Sequence, residues 1–260
     1  MNYILPNDAR FNHYRMQRDD LVEKENLFLV DGVLSVQRLI ESDFPILEIL
    51  CLEKYIPLLK ELSDKRENLF DKVFIGTKQD LESIRGYDLH QGIMASSTVP
   101  NLQSIQLKTP MVILDKVLEA NNIGSIIRSA AALGINNLLI DRSSCHPFIR
   151  RSVRVSMGNI FKMNIKRSFS IQSEIMELKN LGVKIYGASL NETANKKLTS
   201  IYDLQFPENS AIVLGNEAYG ISKEVLELCD ELIYIPMKND VSSLNVAVSG
   251  AIFFSKLMSR

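Results

Sequence analysis

Two short runs, MVILD (111–115) and NLLID (137–141), are apolar at nearly every position and flank a stretch of helical periodicity, IGSIIRSAAALG (123–134). A strand that is apolar on both faces must be covered on both faces, and helices packed on either side of a parallel sheet do that. The alternation continues. NIFKMNI (159–165), VKIYGAS (183–189), AIVLG (211–215) and ELIYIP (231–236) read as further strands. Helices are expected over SIQSEIMELKNLG (170–182), within SKEVLELC (222–229), and over the apolar SLNVAVSGAIFFSKLM (243–258). Gly134 suits a helix C-cap. The expected fold class is α/β with a mostly parallel sheet over 111–260.

A similar alternation fills the first hundred residues. NLFLV (26–30), ILEILCL (46–52), KVFIGT (72–77) and GIMASST (92–98) are strand-like; VLSVQRLIES (33–42), YIPLLKELSDK (55–65) and QDLESIR (79–85) are helical. This implies a small α/β module over 1–98. VPNLQSIQLKTP (99–110) holds two prolines and few bulky residues, and reads as a linker to the module 111–260.

Composition removes other classes. With 46% apolar and 23% charged residues the chain is globular, neither disordered nor fibrous. No apolar run approaches the roughly 20 residues that span a bilayer. MNYILPNDARFNHYRMQRDD lacks an apolar core behind a basic start, so no secretion leader is expected. Cys51, Cys145 and Cys229 are scattered and odd in number, so reduced thiols in a cytoplasmic protein are expected, without a metal site. Net charge is −1, unlike a protein that coats nucleic acid. Residues 1–109 nevertheless hold 13 Lys and Arg against 17 Asp and Glu, while the remainder holds 17 against 14. Any contact with phosphate is therefore local to the second module.

Ligands of open α/β sheets bind beyond the carboxyl ends of the strands. Three segments there carry unusual polar residues. In LDKVLEANNIGSIIRSAAALG (114–134), Arg128 lies one turn past Gly124, and a helix start with an arginine can take phosphate. Taken alone, this segment is better read as a surface arginine with a capping Asn122. In IVLGNEAYGIS (212–222), a strand ends in Gly215-Asn216-Glu217 with Gly220 close behind. Its glycine spacing is that of a P-loop, but Ile221 stands where the lysine belongs, and no GxGxxG is present, which excludes nucleotide triphosphate and NAD chemistry. In IPMKNDVSSLNVAVSGAIFF (235–254), Ser242 or Ser243 fits a helix cap. Asn245, one turn further in, is explained only by a bond to a ligand or a neighbouring loop.

Taken together, the segments resemble the SpoU (TrmH) family of RNA ribose methyltransferases of the SPOUT superfamily. Asn122, Gly124 and Arg128 match its first motif. Gly215, Asn216, Glu217 and Gly220 match the second. Ile235, Pro236, Met237, Ser243, Leu244 and Asn245 match the third. VRVSMGNIF (153–161) is similar to the RxSxG stretch between the first two. One departure is Glu119-Ala120, where many members carry Asp-Pro, which loosens that loop. FLVDGVLSVQRLIES (28–42) and HQGIMA (90–95) give the first module a fainter likeness to an L30e-like substrate-binding domain.

The resemblance implies a deep C-terminal trefoil knot, an S-adenosyl-L-methionine cofactor and a homodimer formed through the knotted domain. It implies cofactor contacts from Leu214, Gly215, Asn216, Glu217, Ile235, Met237, Ser243 and Leu244, and a catalytic set of Arg128, Asn122, Glu217, Ser243 and Asn245. The implied reaction is methyl transfer to a ribose 2′-hydroxyl of structured RNA, with 23S-type ribosomal RNA favoured by the first module. A tRNA substrate, or a catalytically inactive RNA-binding protein acting in ribosome assembly, are the alternatives. Guanidinium is not normally deprotonated in proteins, so Arg128 is expected to fix a phosphate and steady the developing oxyanion, with Glu217 orienting it. Arg142, Arg150, Arg151 and Arg154 are expected to form an RNA-phosphate patch, with a solvated basic face as the alternative.

Overall fold

The computed structural model describes residues 2–5, 8–16, 18–86, 91–103, 106–193 and 196–259, without the side chains of 18–20. His90 of HQGIMA and residues 104–105 of the expected linker lie outside the described residues. Packing gathers the chain into two units, one of residues 1–100 with 146–161 and one of 101–145 with 162–260. The expected boundaries put 146–161 in the second module, whereas its side chains pack with the first.

The first unit is built on a five-stranded mixed sheet. Its strands are β1 (Asn2–Tyr3), β2 (Leu27–Asp31), β3 (Glu48–Cys51), β4 (Val73–Ile75) and β5 (Ile93–Thr98), in the order β1-β4-β3-β5-β2. The helices are α1 (Arg18–Glu23), α2 (Val33–Ile40), α3 (Ile56–Leu62) and α4 (Lys78–Arg85). Local signals set their limits. Thr77 and Asp80 form a reciprocal capping box at the start of α4, and Gly86, at φ 81°, ends it in the left-handed conformation that glycine adopts at little cost. The returning segment adds α6 (Arg150–Val155) against β2. Phe148 and Phe161 from that segment join Phe28 and Phe44, with ring centroids 4.9–6.1 Å apart. Inside the same unit Asp31 pairs with Arg85 (3.2 Å) and with both Nε and Nη2 of Arg150, and all three side chains are nearly buried.

In the second unit all strand pairs are parallel. β6 (Met111–Asp115), β7 (Asn137–Asp141), β8 (Asn164–Ser168), β9 (Lys184–Ala188), β10 (Leu198–Ser200), β11 (Ser210–Gly215) and β12 (Glu231–Tyr234) run in the order β10-β12-β9-β11-β6-β7-β8. Both Val112 and Ile113 are fully buried, so each face of β6 is covered, as its unbroken apolar run predicts. One face carries α7 (Ile171–Asn180) and α8 (Lys223–Leu228), through Ile171, Ile175 and Val225 against Ile113, Ile185 and Val213. On the other, α9 (Val246–Met258) packs on α5 (Ala120–Ala132) and on β11. Gly134, at φ 83°, ends α5 as expected. Part of the expected linker is fastened to this unit: Leu102 is buried and its carbonyl accepts from Arg167 N.

One expected strand is misplaced. Residues 159–162 form a 3-10 turn, and the strand runs over 164–168. Ile160 and Phe161 spend their apolar surface in the core of the first unit, and the strand draws on Ile165 and a buried Arg167 that charge alone argued against. No helix among the described residues is long and apolar enough to cross a membrane.

Candidate active site

Parallel strands bring their carboxyl ends to one edge, and the order places β6 and β11 side by side at its centre, with Gly215 opposite Asp115. β6 leads towards β7 and β8 on one side, and β11 stands with the strands of the other side, so a crevice opens where the order reverses. The loop after β11 is tightly folded. A Cβ on Gly215 would lie 2.2 Å from the Ile221 nitrogen, so no other residue fits there. Asn216 and Gly220 exchange backbone hydrogen bonds of 2.9 Å. The Asn216 side chain accepts from the Ala218 and Tyr219 amides, and its Nδ2 donates to the Lys116 carbonyl at 2.8 Å, tying this loop to the one after β6.

That architecture holds Glu217 against the start of α5. The helix lacks a side-chain cap from its own N-cap residue, Glu119. Glu217 supplies the acceptor instead: Oε1 accepts from Glu119 N (3.1 Å) and Asn122 Nδ2 (2.8 Å), and Oε2 from Leu118 N (3.2 Å). A carboxylate at a helix start satisfies orphan amides and meets the positive end of the helix dipole. The expectation that this helix start receives a phosphate is thereby corrected, because a carboxylate of this chain already occupies it. Burial acts to raise the Glu217 carboxyl, but the hydrogen bonds from Asn122 and from the Glu217, Glu119 and Leu118 amides prevail and hold it below the ordinary glutamate value.

Asn122 extends the chain. It is buried, and its Oδ1 accepts from Asn245 Nδ2 at 2.9 Å. Asn245 is itself the N-cap of α9, its Oδ1 accepting from the Ala247 and Val248 amides. Neither serine expected as the cap holds that position, and α9 begins three residues later than expected. Asn245 thus caps α9 with its oxygen and, where a bond to a ligand or a loop was expected, reaches the first turn of α5 with its nitrogen.

A cavity of about 600 Å³ opens beside this chain. Leu214, Gly215, Asn216 and Glu217 line it from the end of β11, and Ile235, Met237, Ser243 and Leu244 from the segment between β12 and α9. Asn245 also lines it, while Asn122 lies behind Glu217. Sequence reasoning missed the wall made by residues 188–193, although these run from the end of β9 at the same edge. Arg128 is not gathered in: it is exposed on α5, six residues beyond Asn122, with no hydrogen bond or ion pair among the described residues. Glu217 therefore orients the helix that carries Arg128, and does not touch Arg128 itself.

The four expected arginines divide between the units: Arg142 belongs to the second, and Arg150, Arg151 and Arg154 to the first. Arg150 is engaged by Asp31, so its role as a free phosphate contact is corrected to a structural one; a buried carboxylate requires such a partner. Arg151 and Arg154 are exposed, and Arg142 stacks on Phe169.

Comparison with known proteins agrees with this geometry. A model of the SpoU rRNA Methylase family matches residues 109–255. Among curated proteins, the chain is 27% identical over 230 residues to the 23S rRNA (guanosine(2553)-2′-O)-methyltransferase RlmP of Bacillus subtilis, covering 88% of this chain and 87% of that one. It is 28% identical over 258 residues to an uncharacterized tRNA/rRNA methyltransferase of Mycobacterium bovis, covering 96% and 88%. Among solved structures, the SpoU methyltransferase AviRb of Streptomyces viridochromogenes, in complex with AdoMet, superposes with a TM-score of 0.81 at 23% identity, over 96% of this chain and 98% of that one. The family match spans more than half of the sequence and takes in every segment of the site, and the chain belongs to the SpoU rRNA methylase family.

Proposed function

We propose that this SpoU-family methyltransferase uses S-adenosyl-L-methionine to methylate a ribose 2′-hydroxyl in structured RNA, with 23S-type ribosomal RNA favoured over tRNA. The observation that carries the reading is the Glu217–Asn122–Asn245 chain set over the cavity at the β6/β11 switch point. Similarity to RlmP along nearly the full length favours ribosomal RNA.

The residues present suit the cofactor. The cavity volume lies in the roughly 300–1,000 Å³ range of small-molecule sites. Leu190 and Leu244 are 47% and 38% exposed on its wall, apolar surface that a bound adenine would cover. Leu214, Gly215, Ile235, Met237 and Leu244 would hold the cofactor, with Asn216, Glu217 and Ser243 as polar partners. When bound, it supplies an electrophilic methyl group on a sulfonium. Arg128 fixes the phosphate beside the target ribose and steadies the charge growing on the 2′-oxygen, whose proton passes to a phosphate oxygen or water. Glu217, Asn122 and Asn245 position α5 for that task. Convergence of the loops 215–220, 235–237 and 243–245 on one cavity supports a trefoil knot. The exposed Val248 on α9 supports a homodimer through the second unit.

Mapping 2′-O-methylation in total RNA from cells with and without this protein tests the substrate. One site lost from 23S RNA is expected; a site lost from tRNA would move the substrate, and no lost site together with no cofactor binding in calorimetry would leave a catalytically inactive RNA-binding protein. Arg128→Lys tests the fork geometry of the guanidinium, which an ammonium does not reproduce. Turnover should fall by about 100-fold, in the range of losing one oxyanion donor, with cofactor affinity unchanged; near-normal turnover at pH 8 would remove that role.

A further inference from the structure

The carboxyl edge of the second unit carries a feature outside the cofactor site. β7 ends in Asp141 and β8 in Ser168, which stand opposite each other in the sheet. The next residues, Arg142 and Phe169, meet: the guanidinium carbon lies 3.8 Å from the ring centroid. Phe169 is nevertheless 73% exposed, so the arginine covers one face and leaves the other open to solvent. A ring this exposed gains little from core burial.

The pair is rigidly mounted. Phe169 sits between the end of β8 and Ser170, which caps α7 by accepting from Ser173 N. The Arg142 carbonyl accepts from the buried Arg167 guanidinium at 3.1 Å. The Asp141 carboxylate accepts from the amides of Ser143 and Ser144 and from Lys116 N (2.9 Å), and the Lys116 carbonyl accepts from Asn216 (2.8 Å). An unbroken set of hydrogen bonds therefore runs from the loop of the candidate active site to the residue before Arg142. Gly215 and Ser168 end strands three places apart along the same edge, about 14 Å at the usual strand spacing. That exceeds the reach of the base attached to the target ribose and suits a neighbouring nucleotide.

We propose that Arg142 and Phe169 form a stacking platform for an unpaired base flanking the methylated nucleotide, with the base on the open face of Phe169 and the guanidinium also facing phosphate. Bases stack on aromatic rings and on arginine planes wherever RNA is read in single-stranded form. The proposal rests on the RNA-methylation reading above and revises the place of Arg142, from one member of a phosphate patch to half of a base-binding pair.

Two measurements on the full chain separate the proposal from that reading. In the first, a fluorescein-labelled 12-nucleotide oligoadenylate is titrated by anisotropy at several salt concentrations. Phe169→Ala should raise Kd by about 10-fold, within the range of one lost base–aromatic stack. Its salt slope should stay that of wild type, and Phe169→Tyr should bind normally. Arg142→Ala should raise Kd and reduce the salt slope by about one. Failure of wild type to bind, wild-type affinity in Phe169→Ala, or equal loss in Phe169→Tyr would each overturn the platform. In the second, methyl transfer from S-adenosyl-L-methionine to transcribed 23S RNA is followed. Phe169→Ala should raise KM for RNA by a similar factor and leave kcat and cofactor affinity alone, and an unchanged KM would count against the platform even if wild type is active. An inactive wild type removes 23S RNA as the substrate, and the oligonucleotide titration still decides the platform.

Discussion

At Glu217 one carboxylate both caps a helix that has no cap of its own and anchors Asn122. Its folded-state pKa is depressed, so its contribution is complete above the ordinary glutamate value of about 4.3 and is lost as pH falls through the lower folded value. Cofactor affinity measured by calorimetry should therefore be flat from neutral pH to about pH 5 and decline only in stronger acid. Glu217→Gln replaces an oxygen facing donors with a donor. It should bind cofactor more weakly at every pH and lose the acid limb, and a neutral-pH step in wild type that this variant removes would contradict the assignment. The GNE sequence marked this residue as polar where a strand ends. That its partners would be two amides and an asparagine nearly a hundred positions earlier was not legible, because hydrogen-bond partners distant in sequence leave no periodic trace.

At the scale of elements, α5 and α9 are joined by side chains as well as by packing. Asn245 performs two functions that substitution can separate. Asn245→Asp keeps the capping oxygen and loses the amide donated to Asn122, whereas Asn245→Ala loses both. The alanine variant should lose about 1–2 kcal/mol in denaturant unfolding, one cap plus one hydrogen bond. The aspartate variant should keep near-normal stability and still show reduced methyl transfer; equal activity of wild type and Asn245→Asp would limit Asn245 to capping. Strands with unbroken apolar runs, β6 and β11 among them, were readable from sequence because burial on both faces writes itself into every position. β8 was not, since Lys166 and Arg167 break the pattern and Arg167 is buried with its guanidinium on the Arg142 carbonyl.

For the molecule as a whole, the segment 146–161 leaves the second unit's sequence to complete the first unit's core. Asp31 secures it by pairing with Arg85 and Arg150 at 10%, 6% and 13% side-chain exposure. Removing one member of such a group leaves the others charged and poorly solvated, at a cost of about 3–5 kcal/mol. Asp31→Ala should accordingly lower the melting temperature by about 6–20 °C, using the usual scaling for a chain of this size. Asp31 and Arg150 changed together to a matched apolar pair should recover part of that loss. Full melting stability in Asp31→Ala would remove the structural role assigned to the Asp31–Arg150 pair.

The linear sequence by itself determined that this chain forms a parallel α/β domain, which loops line its cavity, and, through three motifs in order, its family. Those properties are local or repeat with a fixed period, so short windows carry them. Only the tertiary structure decided that Glu217 caps α5, that Asn245 joins two helices, that Arg150 is held by Asp31 and that Arg142 lies on Phe169. Each of these joins residues brought together by strand order and helix packing, and the identity of the partner is set by proximity in space, which no window of sequence contains.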